Sequence, residues 1–125
     1  MHSDQHLREL IYLASPYSDP DPQVREARYL AVIECAAHFR KAGRQMFCPI
    51  GHDHESAVLG LLPLESGFYA DFNETMLERS QELWILALDG WLESEGIRRE
   101  REFAQAAGLI ERIVEPYTAG GYLIR

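Results

Sequence analysis

The stretch ELWILALDGWLESEGIRREREFAQAAG, Glu82 to Gly108, decides the architecture. Its first eight residues form an almost continuous apolar run, which predicts a central strand buried on both faces, with Trp84 in the core. Asp89-Gly90 marks a turn. Ser94 follows as an N-cap, and the spacing from there predicts a helix closed by Gly108. A strand feeding a helix through a short polar turn is one half of a parallel βαβ unit.

The remainder of the chain repeats this alternation. LIYLAS, Leu10 to Ser15, reads as a buried strand, and PYSDPDPQ after it as a loop punctuated by three prolines. Asp21 supplies an N-cap and Pro22 the first helical position; the helix runs to about Lys41, with Gly43 just past its end. QMFCPI predicts a second strand, and GHDHES a polar loop entering a short helix through Leu62. Pro63 to Gly67 interrupts the pattern. FYADFNETMLERSQ returns to helical spacing, with Phe68, Phe72 and Met76 on one stripe; Phe72 and Met76 read as core. ERIVEPY predicts a last strand and TAGGYLIR a tail. Strands alternating with helices give an α/β fold: a single doubly wound parallel sheet of four to five strands with helices on both faces, one domain over residues 1–125.

Composition narrows the function. The chain has 125 residues, 46% hydrophobic and 26% charged, with a net charge of −8. A nucleic-acid binder needs a basic face, and none is visible, so a small-molecule substrate is expected and no nucleic acid. No apolar run approaches the roughly 18 residues of a membrane span. The opening MHSDQHLREL has no apolar signal core, so no membrane partner and a cytoplasmic location are expected. Cys35 and Cys48 are too few for a disulfide framework and read as ordinary semi-buried thiols. The paired histidines of Gly51-His-Asp-His-Glu55 lack the spacing of a zinc site, so no metal and no cofactor are expected. His52 or Asp53 reads instead as a ligand contact beside a pocket, against the plainer reading of a surface loop.

In doubly wound sheets ligands bind beyond the carboxyl ends of the strands. The polar segments Tyr12–Ser18, Gly51–Glu55 and Asp89–Gly96 follow strands, which makes Ser15 and Asp89 candidate contacts. Trp91 offers a ring that could stack on a base, cover the sheet edge or meet another subunit. The Arg98-Arg99 and Arg101 cluster reads as the solvated side of its helix.

One residue breaks the pattern. On a helical wheel Ile97, Phe103, Ala104 and Ala107 lie within about 60° of Glu100, so a carboxylate occupies the middle of the apolar face. Glu102 falls almost opposite. A buried carboxylate is tolerated when it is paired or used. The positive end of the helix dipole favours its ionised form, the form a covalent nucleophile needs. Gly96, one turn earlier, leaves room for a substrate, and the Ser94 hydroxyl could touch one. The structural alternative pairs Glu100 with Arg28, itself a charge on the apolar stripe of the first helix. Arg28 could equally hold a substrate oxygen. On pattern alone the functional and structural readings of Glu100 stand level.

Tyr12-Leu-Ala-Ser-Pro-Tyr17 and Ser94-x-Gly96-x-x-x-Glu100-x-x-x-Ala104 together resemble the nucleoside 2-deoxyribosyltransferase family. The fit is nearest to a branch with a DGW-x-x-S-x-G signature, related to deoxynucleoside monophosphate N-glycosidases. The resemblance spans about Leu10 to Gly108. It implies a flavodoxin-like domain that cleaves or transfers at the N-glycosidic bond of a deoxynucleoside or nucleotide. It places the nucleophile at Glu100, an orienting hydroxyl at Tyr12 and the proton donor for the leaving base at Asp71. It also implies sugar contacts at Ser94 and Gly96, and a homo-oligomer. Ser94, where the transferases carry aspartate, leans toward hydrolysis or toward different sugar contacts. Asp19 and Asp21 would repel a 5′-phosphate. The transferases' C-terminal asparagine has no counterpart, Asn73 being the only asparagine. The alternatives are a non-catalytic nucleotide-binding module on the same fold, and an assembly protein whose partner surface includes Trp91.

Overall fold

A computed structural model describes residues 8–125. The reading of the opening residues falls largely on Met1–Leu7, outside the described residues. Five strands and four α-helices follow one another as β1 (Leu10–Ala14), α1 (Pro22–Lys41), β2 (Gln45–Phe47), α2 (Pro49–Val58), α3 (Ala70–Glu78), β3 (Glu82–Leu86), α4 (Glu95–Ala107), β4 (Ile110–Pro116) and β5 (Tyr122–Ile124). The sheet order is β2-β1-β3-β4-β5. The first four strands are parallel and β5 is antiparallel to β4. This is the flavodoxin-like arrangement, whose order reverses between β1 and β3. Among the described residues no helix is long and apolar enough to cross a membrane.

The strands bury alternate residues on opposite faces, as their two-residue period requires. Ile11, Leu13, Trp84 and Leu86 pack beneath α1 with Val32, Cys35 and Phe39. Tyr12, Ala14, Leu83 and Ile85 pack on the other face with Leu77 of α3 and Ile97 and Ala104 of α4. Trp84 meets Phe39 edge-on at 5.1 Å. Its indole N–H donates to Glu82 at 2.7 Å, and Arg112 also holds that buried carboxylate.

Local signals explain the helix starts. Asp21 accepts from the Gln23 N–H at 2.9 Å ahead of Pro22. Ser94 accepts from the Ile97 N–H at 3.2 Å. Three expectations change. GHDHES is helix, because Cys48 caps Pro49 and its sulfur accepts from the Gly51 N–H. The tail is β5, because Gly120 and Gly121 take positive φ and turn the chain back along β4. The stripe of Phe68, Phe72 and Met76 is out of phase. Ser66–Tyr69 forms a 3-10 turn, so α3 begins at Ala70 and buries Leu77, while Phe72 stays 42% exposed. Met76 packs against the core as expected.

Gly90, in the loop after β3 and just ahead of the 3-10 turn Trp91–Glu93, takes φ +89°, and a Cβ there would stand 2.9 Å from Nη2 of Arg28. Gly90→Ala should therefore destabilise the fold by about 1–2 kcal/mol from the left-handed backbone alone. It should also displace Arg28. Thermal unfolding checks the first effect; an unchanged melting temperature would contradict it.

Candidate active site

The carboxyl ends of β1 and β3 open into a cleft of about 540 Å3. Each wall follows from an element already placed. The β1–α1 loop contributes Ser15 through Asp19, and the head of α4 contributes Ser94, Gly96 and Glu100. The inner face of α3 contributes Ala70, Asn73 and Glu74, and Arg28 reaches in from α1.

Glu100 lines this cleft, and its Oε2 accepts a hydrogen bond of 2.5 Å from the Tyr12 hydroxyl. Tyr12 is 0% exposed. A phenol sealed in a strand needs a partner, and the carboxylate is that partner. Burial, and then Glu100 itself, push the Tyr12 phenol well above its ordinary range, so it stays protonated and donates. Burial also raises Glu100 to about 7, opposed by the Tyr12 hydrogen bond and the positive charge of Arg99. Burial therefore outweighs the helix dipole at Glu100. Glu100 lies more than one turn inside α4, where the terminal field has fallen off.

Arg28 does not pair with Glu100. Its guanidinium donates to the carbonyls of Ser18 at 3.0 Å and Asp89 at 3.1 Å, tying the loop after β1 to the loop after β3. Ser94 divides its hydroxyl between capping α4 and facing the cleft. A Cβ on Gly96 would meet only the Ser94 Oγ, at 3.9 Å, so the glycine leaves the cleft side of α4 open. Ser15 is 6% exposed, and its Oγ has no protein partner; nor does the buried Oδ1 of Asn73. Buried polar atoms in a native fold are normally satisfied. Both orphans line the cleft, where a polar ligand would satisfy them.

The structure thus brings Ser15, Arg28, Ser94, Gly96 and Glu100 to one cleft, with Tyr12 behind them. It does not bring the other four candidates. Asp71 is exposed on α3, off the face that carries Asn73 and Glu74. Asp89 is exposed and contributes its carbonyl to Arg28. Trp91 packs against the core beside α4, with the Arg101 guanidinium 5.5 Å from its ring. His52 is exposed, holds Asp53 at 2.8 Å and stacks on Phe72. Sequence reasoning missed Asn73 and Glu74 as cleft residues and gave Tyr17 no role beyond its place in the segment Tyr12–Ser18; the three- and four-residue spacing of Asn73 and Glu74 from Ala70 was the signal for the first two. Among the described residues no group of three His, Cys, Asp or Glu side chains could hold a metal ion.

A family model described as "Domain of unknown function (DUF1937)" matches residues 9–115. The chain belongs to that family. The matched span contains β1 through nearly all of β4, and with them every cleft residue named above. No curated protein matches the chain.

The Glu100 titration has a consequence for stability. A carboxyl whose value rises from 4.5 to about 7 on folding binds its proton more tightly in the folded state. Its contribution is fully present below pH 4.5 and is lost as pH rises through about 7. Glu100→Gln should match the parent near pH 4.5 and be more stable above pH 7, by at most about 3 kcal/mol. Melting curves across that window test this; a constant offset at all pH values would mean that folding leaves the proton affinity of Glu100 unchanged.

Proposed function

We propose that the protein cleaves or transfers at the N-glycosidic bond of a deoxynucleoside, with Glu100 as nucleophile. The observation that carries this reading is the Glu100 carboxylate of α4, hydrogen-bonded by buried Tyr12 and lining the cleft at the switch point of the sheet. Structural pairing with Arg28, the competing explanation of Glu100, loses its support because Arg28 is engaged elsewhere.

Tyr12 holds Oε2, so Oε1 is the oxygen offered to the anomeric carbon. Attack forms a glycosyl ester on Glu100 while the N-glycosidic electron pair leaves with the base, which takes up a proton. Water then releases the sugar, or a second base accepts it. Ser94 and Gly96 face the sugar, and the unpartnered Ser15 and Asn73 groups supply polar contacts. Asp71 stands outside the cleft and is a poor acid for the leaving base.

The cleft carries Asp19, Glu74, Glu93, Glu95 and Glu100 against Arg28 and Arg99. This excess of carboxylates favours an uncharged nucleoside over its doubly charged monophosphate, and a small molecule over nucleic acid. The same reading places the enzyme in the cytoplasm as a homo-oligomer that needs no cofactor. The resemblance to the nucleoside 2-deoxyribosyltransferases supports the assignment of Glu100 and Tyr12.

Chromatography of free base, after incubation with deoxynucleosides and their 5′-monophosphates with and without a second base, tests the reading. Base exchange identifies a transferase and release alone a hydrolase. Glu100→Gln should abolish either. The parent rate should rise through about pH 7 as Glu100 ionises. Saturable binding of a nucleoside with no turnover would instead make the protein a non-catalytic binding module.

A further inference from the structure

Tyr17 lines the same cleft, and behind it stands a row of groups that the reading above does not use. Its hydroxyl lies 2.7 Å from Nδ1 of His54. Nε2 of His54 lies 2.9 Å from a carboxylate oxygen of Glu26. His54 is 5% exposed and stacks on Tyr29 at 3.9 Å with an interplanar angle of 17°. It sits on the inner face of α2, while Glu26 and Tyr29 are one turn apart on α1.

This arrangement fixes protons as well as positions. An ionised carboxylate only accepts, so Nε2 carries hydrogen toward Glu26. Nδ1 then accepts from Tyr17 when the ring is neutral and donates to it when the ring is an imidazolium. The Glu26 side chain is 53% exposed, so the row runs from the cleft to solvent through a buried imidazole. Burial, with Glu26 adding to it and Arg25 opposing it, raises the Tyr17 phenol above its ordinary value and keeps it protonated.

We propose that Tyr17 is the acid that protonates the leaving base, with His54 and Glu26 as positioning residues that supply its proton. This rests on the N-glycoside reading of the cleft. As the glycosidic bond breaks, its electron pair goes to the base nitrogen, which takes the Tyr17 proton. Tyr17 takes the Nδ1 proton of the imidazolium, leaving a neutral ring still donating to Glu26. In the second half-reaction the attacking water gives its proton to Tyr17 as Tyr17 passes its own to Nδ1. The imidazolium is restored, and no proton is gained or lost over the cycle. The charged and titratable groups around the relay are Arg25, Glu26 and Tyr29 of α1, Tyr17 of the β1–α1 loop, and Tyr69, which lies near Tyr17.

The test compares two substrates on the full chain. A deoxynucleoside needs its base protonated; 4-nitrophenyl 2-deoxyriboside releases a phenolate that needs no proton. Tyr17→Phe keeps the ring and should lower kcat on the nucleoside roughly 100-fold or more, the scale of lost general acid catalysis. On the nitrophenyl substrate it should leave kcat/KM, which reports bond cleavage up to the glycosyl ester and not the later water step that Tyr17 also serves, within a few-fold. Glu26→Gln removes the charge that favours the imidazolium. The alkaline limb of its kcat profile on the nucleoside should move to lower pH, a change that a merely structural contact would not produce. Equal losses on both substrates in Tyr17→Phe, or an unmoved profile in Glu26→Gln, would overturn the relay while leaving Glu100 as nucleophile. Should Tyr17→Phe fold poorly, the Glu26→Gln profile decides. No turnover of either substrate by the parent would overturn the N-glycoside reading and the relay together.

Discussion

The contact between Tyr12 and Glu100 couples the sheet to the cleft. Tyr12 lies in the middle of β1 with its ring among Ala14, Leu83, Ile85 and Ile97, where a hydroxyl has no access to solvent. Glu100 lies on the helix face that packs over those residues. Each group alone would be a buried polar defect; together they satisfy one another. The bond also sets the rotation of α4 over the sheet. With Glu100 pinned above Tyr12, Ile97 and Ala104 fall into the core, Gly96 faces the cleft, and Arg98 and Glu102 pair in solvent at 2.9 Å.

The fold was legible wherever the pattern was long. Twenty residues of α1 between Asp21 and Lys41, and the buried run of β3, leave no competing assignment. Short elements were harder. QMFCPI reads as a strand, of which Gln45–Phe47 pair; the three residues of β5 bury too little to impose a period, read as a tail, and form a strand because the edge of β4 accepts them. The start of α2 was written in Cys48-Pro49, a cap and a first-turn proline, but a sulfur cap is a weak signal beside the polar run after it.

The site divides in the same way. Glu100, Ser94 and Gly96 belong to a helix whose phase was fixed by thirteen residues, so their common direction could be read. Asp71 belongs to a nine-residue helix that begins with a 3-10 turn. The resemblance, not a helical phase, points to Asp71; once α3 begins at Ala70, residues three and four apart share a face, so Ala70, Asn73 and Glu74 line the cleft and Asp71 falls off it. Trp91 and His52 were placed by adjacency to strand ends. Tertiary contacts decided otherwise, packing Trp91 against the core and His52 against Phe72. No sequence spacing links Tyr17, Glu26 and His54, since their meeting depends on α2 lying against α1.

A fold optimised for stability alone would not keep a carboxyl driven up to about 7, an unpartnered Ser15 hydroxyl and an unpartnered Asn73 amide oxygen within one cleft. Each costs free energy that an apolar side chain of similar volume would avoid. Among the described residues the other buried polar side chains have partners: Glu82 has Trp84 and Arg112, and His54 has Tyr17 and Glu26. The unmet groups gather where the strand order reverses, the place where this topology leaves a crevice. That segregation, satisfied polar groups in the scaffold and unmet ones at the switch point, separates a binding cleft from a packing defect.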